Sequence, residues 1–148
     1  MKTVYIDMDN VLVDFPSGIE RISKSDRLIY AGRLDEVPHI FSLMDPVFGA
    51  IEAYHLIAEH YDTYILSTAP WNNPTAWSDK LNWVKKHIGS AAYKRLILSH
   101  HKNLNMGDYL IDDRTKNGVD RFSGEHILFG SPAFPDWHSV LAHLHCMK

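Results

Sequence analysis

Strands alternating with helices predict an α/β fold: a Rossmann-like, mainly parallel sheet flanked by helices, with a small helical cap inserted after the first strand. Three observations carry this. Five short apolar runs of strand type, Val4-Tyr5-Ile6, Thr63-Tyr64-Ile65-Leu66, Leu96-Ile97-Leu98, Tyr109-Leu110-Ile111 and His126-Ile127-Leu128-Phe129, are spaced by helical patterns or short loops. Several of these runs end abruptly in polar side chains. A weakly patterned stretch, about 15–45, interrupts the alternation after the first run. At 148 residues the chain is long enough for a real core and short enough for one domain, so a single unit is expected: core 1–14 and 46–148, cap about 15–45.

Taken in order, Val4-Tyr5-Ile6 is the first strand, and Asp7 and Asp9 follow it. Residues i and i+2 of an extended chain point the same way. The two carboxylates therefore face one spot beyond the strand's C-terminal end, where open α/β sheets bind ligands. Ser17 and Glu20 have capping-box spacing and predict a helix from about Ser17 to Tyr30. Residues 32–45 read as irregular, and an insertion there would overhang the carboxylates as a lid. A helix is predicted over 46–60, with Val47, Ala50, Ile51, Tyr54, Ile57 and Ala58 on its apolar face. The second main strand ends in Ser67-Thr68-Ala69-Pro70. Asn73 is the expected cap and Pro74 the first residue of a helix to about Ile88. Its expected stripe is Trp77, Leu81, Val84 and Ile88, with Trp83 off it, and Gly89 ends it. Leu96-Ile97-Leu98 leads into Ser99-His100-His101-Lys102, and Tyr109-Leu110-Ile111 into Asp112-Asp113. Pro135-Asp136 introduces a closing helix with Trp137, Val140, Leu141 and Leu144 as its apolar face.

Composition removes several classes of function. The net charge of −3 and the absence of a basic run argue against a nucleic-acid polymer as partner. The single cysteine, Cys146, can form no intrachain disulfide, which fits a reducing compartment. Acidic residues arrive before any long apolar stretch at the N-terminus, so neither a signal peptide nor a membrane span is expected. The expected location is cytoplasmic, and a homodimer is compatible with the sequence. The ten histidines are scattered without zinc-site spacing and read as surface or interface residues.

Chemistry enters where the strands end. Asp7/Asp9, Ser67/Thr68, Lys102 and Asp112/Asp113 each follow a strand, and in a parallel sheet those ends share one edge. Like charges held together require a cation, a proton or a basic group between them. A hard divalent ion with oxygen ligands, Mg²⁺ above all, meets that need. Hydroxyls with backbone N–H groups at a strand end suit an anion.

This ordered set, DxDxV, then a hydroxyl, a Lys and a DD pair, resembles the signature of the haloacid dehalogenase superfamily of phosphotransferases. The stretches DMDNVLVDF, YILSTAPW, WSDKLNWVKKHIG and HHKNLNMGDYLIDDR are similar to the 5′(3′)-deoxyribonucleotidase family. The resemblance runs from Thr3 to about Leu144 and is weakest in the insertion. It implies a haloacid dehalogenase-like fold and a Mg²⁺-dependent phosphomonoesterase of (deoxy)ribonucleoside monophosphates working through an aspartyl-phosphate. In that reading Asp7 is the nucleophile and Asp9 the general acid and then base. Asp7, the backbone carbonyl of Asp9, and Asp112 hold Mg²⁺, supported by Asp113. Thr68 and Lys102 grip the phosphoryl oxygens. Phe15, Phe41 and Trp71 are candidates for the substrate pocket, with Trp77 behind them. Two features depart from the pattern: Asn10 stands where many superfamily members carry Gly, and the insertion is short. Two alternatives stand beside this reading. One is a phosphatase for another small phosphate ester. The other is a non-catalytic protein that binds Mg²⁺ and phosphate, although binding alone would not require an acid/base at Asp9.

Overall fold

The computed structural model describes residues 1–148. In chain order its elements are β1 (Thr3–Ile6), β2 (Val13–Asp14), α1 (Phe15–Ile19), α2 (Lys24–Ile29), β3 (Asp45–Pro46) and α3 (Ala50–His60). There follow β4 (Asp62–Ser67), α4 (Pro74–His87), β5 (Leu96–Leu98), β6 (Tyr109–Asp112), β7 (Glu125–Leu128) and α5 (Trp137–His143). Five strands form one sheet in the order β5-β4-β1-β6-β7. Every pairing in it is parallel, as the alternating pattern predicts. β1 lies at the centre because its residues are apolar on both faces, as a strand flanked on both sides must be.

Period-two alternation divides the sheet residues between two layers. Val4, Ile6, Ile65, Ile111 and Ile127 join residues of α3, α4 and α5 in the main core. Tyr5, Leu66 and Leu110 face the other way and meet Val119 and Phe122 beside a single 3₁₀ turn. Burying each large aliphatic side chain stabilises the fold by roughly 1.5–3 kcal/mol. The side chains at 4, 6, 65 and 111 are completely buried, so the sheet is anchored where it presents its polar ends. No helix is long and apolar enough to cross a membrane.

The insertion is built differently from the expectation. The single helix over 17–30 is two short ones, and the cap of the first is Asp14, which accepts from the Ser17 amide at 3.4 Å. Ser17 is not a cap. Its buried hydroxyl donates to the Asp14 carbonyl at 2.6 Å and accepts from the Asp45 amide at 2.9 Å. Ser23 starts the second helix, accepting from Asp26 N at 3.0 Å. Two residues each of β2 and β3 pair antiparallel, Val13 with Pro46 and Asp14 with Asp45. This pairing is also why the helix expected from Pro46 begins only at Ala50. Pro46 is held in the ribbon, and Gly49 turns the chain with φ 78°, a left-handed conformation that glycine adopts without strain.

The buried face of α4 is likewise rotated from the expected stripe. Ala76, Asp79, Lys80, Trp83 and Val84 are buried, whereas Trp77 and Leu81 reach solvent. Trp83 inserts beneath the insertion and donates its indole N–H to Met44 O at 3.0 Å. Asn73 occupies the cap position without capping: its amide donates to Asp35 O at 2.9 Å and Val37 O at 3.1 Å.

Candidate active site

The register of the sheet assembles the site. Ile6 pairs with Ile65 on one side and Ile111 on the other, so Asp7, just past the end of β1, and Asp112, the last residue of β6, lie side by side at the strand ends. The Asp7 amide still donates to Ile111 O at 2.9 Å, which fixes its Cα at the strand end. One carboxylate oxygen from each of Asp7, Asp112 and Asp113 lies within 4.8 Å of the others. Lys102, the first residue of a 3₁₀ turn, reaches between them and donates to Asp7 Oδ1 at 3.0 Å and Asp112 Oδ2 at 2.5 Å. Burial works to lower the Lys102 pKa, but Asp7 and Asp112 outweigh it and hold the ammonium charged.

One ammonium faces three carboxylates, so an excess of negative charge remains. Burial, then the charge of Asp7, raises the Asp112 carboxyl. Burial, followed by Asp7 and Asp112, pushes Asp113 up to about 7, and Asp113 Oδ1 is buried with no hydrogen-bond partner. An orphaned buried carboxylate oxygen facing two more is the donor set of a hard divalent cation. The residues present fit one, and no histidine belongs to the set.

Asp9 belongs to a second arrangement. The loop after β1 folds back tightly: the amides of Val11, Leu12 and Val13 all donate to Met8 O. Asn10 takes φ 62° there, a conformation Asn tolerates better than most residues. Asp9 accepts at 3.1 Å on each carboxylate oxygen from Lys80 Nζ, which also donates to Ser67 Oγ at 2.9 Å. Lys80 is 0% exposed, and its ammonium lies 4.5 Å from the centre of the Phe41 ring. Burial raises the Asp9 carboxyl and Lys80 opposes that rise. The open side of Asp9 faces a cleft of about 310 Å³ that Thr68, Trp71, His100 and Arg114 also line.

A family model described as "5' nucleotidase, deoxy (Pyrimidine), cytosolic type C protein" matches residues 23–142. A protein of Vibrio phage KVP40 designated a 5′(3′)-deoxyribonucleotidase is 61% identical over 141 residues, covering 95% of this chain and 83% of the relative. The chain belongs to the 5′(3′)-deoxyribonucleotidase family. A Bordetella bronchiseptica family member is 31% identical, covering 94% of this chain and 95% of its own. The human cytosolic-type 5′(3′)-deoxyribonucleotidase is 29% identical over 85% of this chain and 78% of its own. A haloacid dehalogenase-like hydrolase from Xanthomonas campestris shares the fold, with a TM-score of 0.57 at 10% identity over 98% of this chain and 95% of its own. The chain is thus a phosphoric monoester hydrolase of deoxyribonucleotidase type, on a haloacid dehalogenase-like fold.

In this deoxyribonucleotidase-family chain the residues expected at the site fall into three groups. Asp7, Asp112 and Asp113 converge, with Lys102 among them rather than on the open cleft with Thr68. Asp9, Thr68 and Trp71 line the cleft. Thr68 donates its hydroxyl to Ser99 O at 2.7 Å, while Ser67 is fully buried and serves Lys80. Phe41 is 2% exposed and packs edge-to-face on half-buried Phe15, and neither lines the cleft. Lys80 is the site residue without a sequence expectation. It lies inside WSDKLNWVKKHIG, where amphipathic periodicity assigns a lysine to solvent. The signal available was Asp79-Lys80, one turn before Trp83 on the helix face that turned out to be buried.

Proposed function

We propose that this chain is a Mg²⁺-dependent phosphomonoesterase that converts deoxyribonucleoside monophosphates to nucleoside and phosphate through an aspartyl-phosphate on Asp7. The observation that supports this most is the pairing of two distinct acid environments at one strand end. Asp7 sits with Asp112, Asp113 and Lys102, and Asp9 sits apart with Lys80 at the floor of the cleft. Environments that set two nearby carboxyls in different roles are the pattern expected of an acid/nucleophile pair.

In the first step an Asp7 oxygen attacks phosphorus, the bond to the sugar oxygen breaks, and that oxygen takes the Asp9 proton. In the second, water attacks the phosphoryl group on Asp7 and gives a proton to Asp9, which releases phosphate and restores both carboxyls. Asp7, Asp112 and the Asp9 carbonyl, with Asp113 in support, would hold Mg²⁺, which would supply positive charge against the phosphoryl oxygens and the carboxylate cluster. Lys102 fixes the direction of Asp7 through its 3.0 Å bond. Thr68 meets the phosphoryl group from the cleft wall. Trp71, 78% exposed at the cleft mouth, offers an aromatic face to a planar base. Residues 15–45 act as the lid of a single catalytic unit. The relative named cytosolic in humans and the buried free thiol of Cys146 support a cytoplasmic setting.

The deciding experiment measures phosphate release from a panel of deoxy- and ribonucleoside monophosphates and sugar phosphates, with Mg²⁺ and with EDTA. Mg²⁺-dependent hydrolysis favouring deoxynucleotides is expected. Asp7→Asn should lower kcat by roughly 10³-fold or more while circular dichroism stays unchanged. Wild-type turnover in that variant would overturn the role given to Asp7, and preference for sugar phosphates would overturn the substrate class.

A further inference from the structure

The cleft at Asp9 is lined by groups of both charges: Arg114 and Lys116, and Asp35 and Glu36 from the 3₁₀ turn Leu34–Glu36 of the insertion. The cations need no explanation in a site for a phosphate dianion. The carboxylates do, since they repel that substrate.

The two acids differ in what they already hold. Glu36 is committed: its oxygens accept from Arg33 Nη1 at 2.7 Å and Asn72 Nδ2 at 3.2 Å, and these bonds, Arg33 first, pull its carboxyl below the usual range. Asp35 uses only its backbone carbonyl, as acceptor for Asn73, and its half-buried carboxylate has no hydrogen-bond or ion-pair partner. A cleft of about 310 Å³ is small, so a substrate with its phosphate at Asp9 brings the rest of itself against the cap wall.

We propose that Asp35 is a specificity-determining residue that reads the base, favouring substrates whose base presents an amino group to the cap wall. This deepens the nucleotide reading above and rests on it. A carboxylate accepts and cannot donate. Guanine offers it an adjacent ring N–H and amino group, which matches its two oxygens. Cytosine and adenine offer an amino group. Thymine and uracil offer one N–H between two carbonyl oxygens, which a carboxylate opposes. Trp71, on the same cleft, supplies the stacking surface that any base can use. Selection against a substrate that leaves a polar group unpaired is stronger than selection by size alone.

The test is kcat/KM for dGMP, dCMP, dAMP and dTMP, with p-nitrophenyl phosphate as a base-free control, in the wild type, Asp35→Asn and Asp35→Ala. The wild type is expected to favour dGMP and dCMP over dTMP. Both variants should lose about tenfold on dGMP and dCMP, with dTMP unchanged or improved and p-nitrophenyl phosphate unchanged. Equal changes on all nucleotides, or a wild-type preference for dTMP that survives Asp35→Ala, would overturn the proposal while leaving the nucleotidase reading intact. Turnover of p-nitrophenyl phosphate with no nucleotide hydrolysed would overturn both the proposal and the nucleotide substrate, and leave the phosphatase chemistry.

Discussion

Lys80 is the residue whose surroundings depart furthest from those its type leads one to expect. A buried ammonium is costly unless it is paired, and Lys80 is paired with Asp9 and Ser67. In the proposed mechanism its charge bears directly on the acid role of Asp9, because Lys80 is the largest influence holding that carboxyl down against burial. Lys80→Met should therefore lower kcat by on the order of 10²-fold. It should also move the alkaline limb of the kcat–pH profile upward, since Asp9 without its cation keeps a proton to higher pH. A pH–rate series on the purified variant checks both, and an unmoved limb would reduce Lys80 to a packing residue. At this scale the sequence is informative where backbone geometry alone decides. Asp7 and Asp112 meet because the sheet is parallel, whereas Asp9, which period two would aim at the same spot, lies in the tight loop after β1 and pairs with Lys80 instead. Lys80 and Phe41 obey tertiary context instead. No local pattern tells a buried lysine from a solvated one, or a ring beneath an ammonium from a ring in an open pocket.

Between elements, the contacts of interest join the insertion to α4. Asn73 holds the carbonyls of Asp35 and Val37, Thr75 Oγ1 accepts from the His39 amide at 2.8 Å, and the Trp83 indole holds Met44. These bonds set the cap wall over the cleft. Asn73→Ala leaves two carbonyls without donors, one of them on the residue that carries the free carboxylate. The variant should be less stable by about 1–3 kcal/mol, and each kcal/mol lowers Tm by roughly 2–4 °C in a chain of this size. KM for nucleotides should rise more than kcat falls, because the cap wall loosens while Asp7 and Asp9 stay put. Calorimetry with steady-state kinetics checks this. The same contacts explain which elements the sequence conceals. The five strands announce themselves as apolar runs bounded by polar ends. The starts of α1 and α3 do not, because Asp14, Ser17 and Pro46 are recruited by the β2–β3 ribbon, a pairing between residues more than thirty positions apart. The stripe of α4 misleads for a related reason: the insertion covers the face bearing Lys80 and Trp83, and leaves Trp77 and Leu81 to solvent.

For the whole molecule, the carboxylate cluster couples stability to pH and to the cation. Asp113 is raised to about 7 in the fold, by burial first, against an ordinary value of about 3.9 in the unfolded chain. Between those two values the folded state binds more protons than the unfolded one, so stability falls as pH rises from about 4 to about 7 and this contribution levels off above. Mg²⁺ held by the ionised cluster, as proposed above, should reverse the trend. With EDTA, Tm is expected to drop across that window. With millimolar Mg²⁺ it should rise, by more at pH 7.5 than at pH 5. A Tm series at several pH values, with and without Mg²⁺, is the check, and an equal Mg²⁺ effect at both pH values would contradict it.

The β2–β3 ribbon has a consequence for how such a molecule can change. The insertion leaves and re-enters the core at neighbouring residues, Asp14 and Asp45, tied again by Arg21 to Asp45 at 2.6 Å. Everything between those points is a cassette on a clasp. Doubling the length of a loop closed in this way costs only about 0.6 kcal/mol in closure entropy. A longer or rewritten cassette can therefore be exchanged without moving β1, β4 or β6. New substrates can be acquired by editing the cassette around Phe41, whose ring lies against Lys80, while the phosphate chemistry is inherited unchanged.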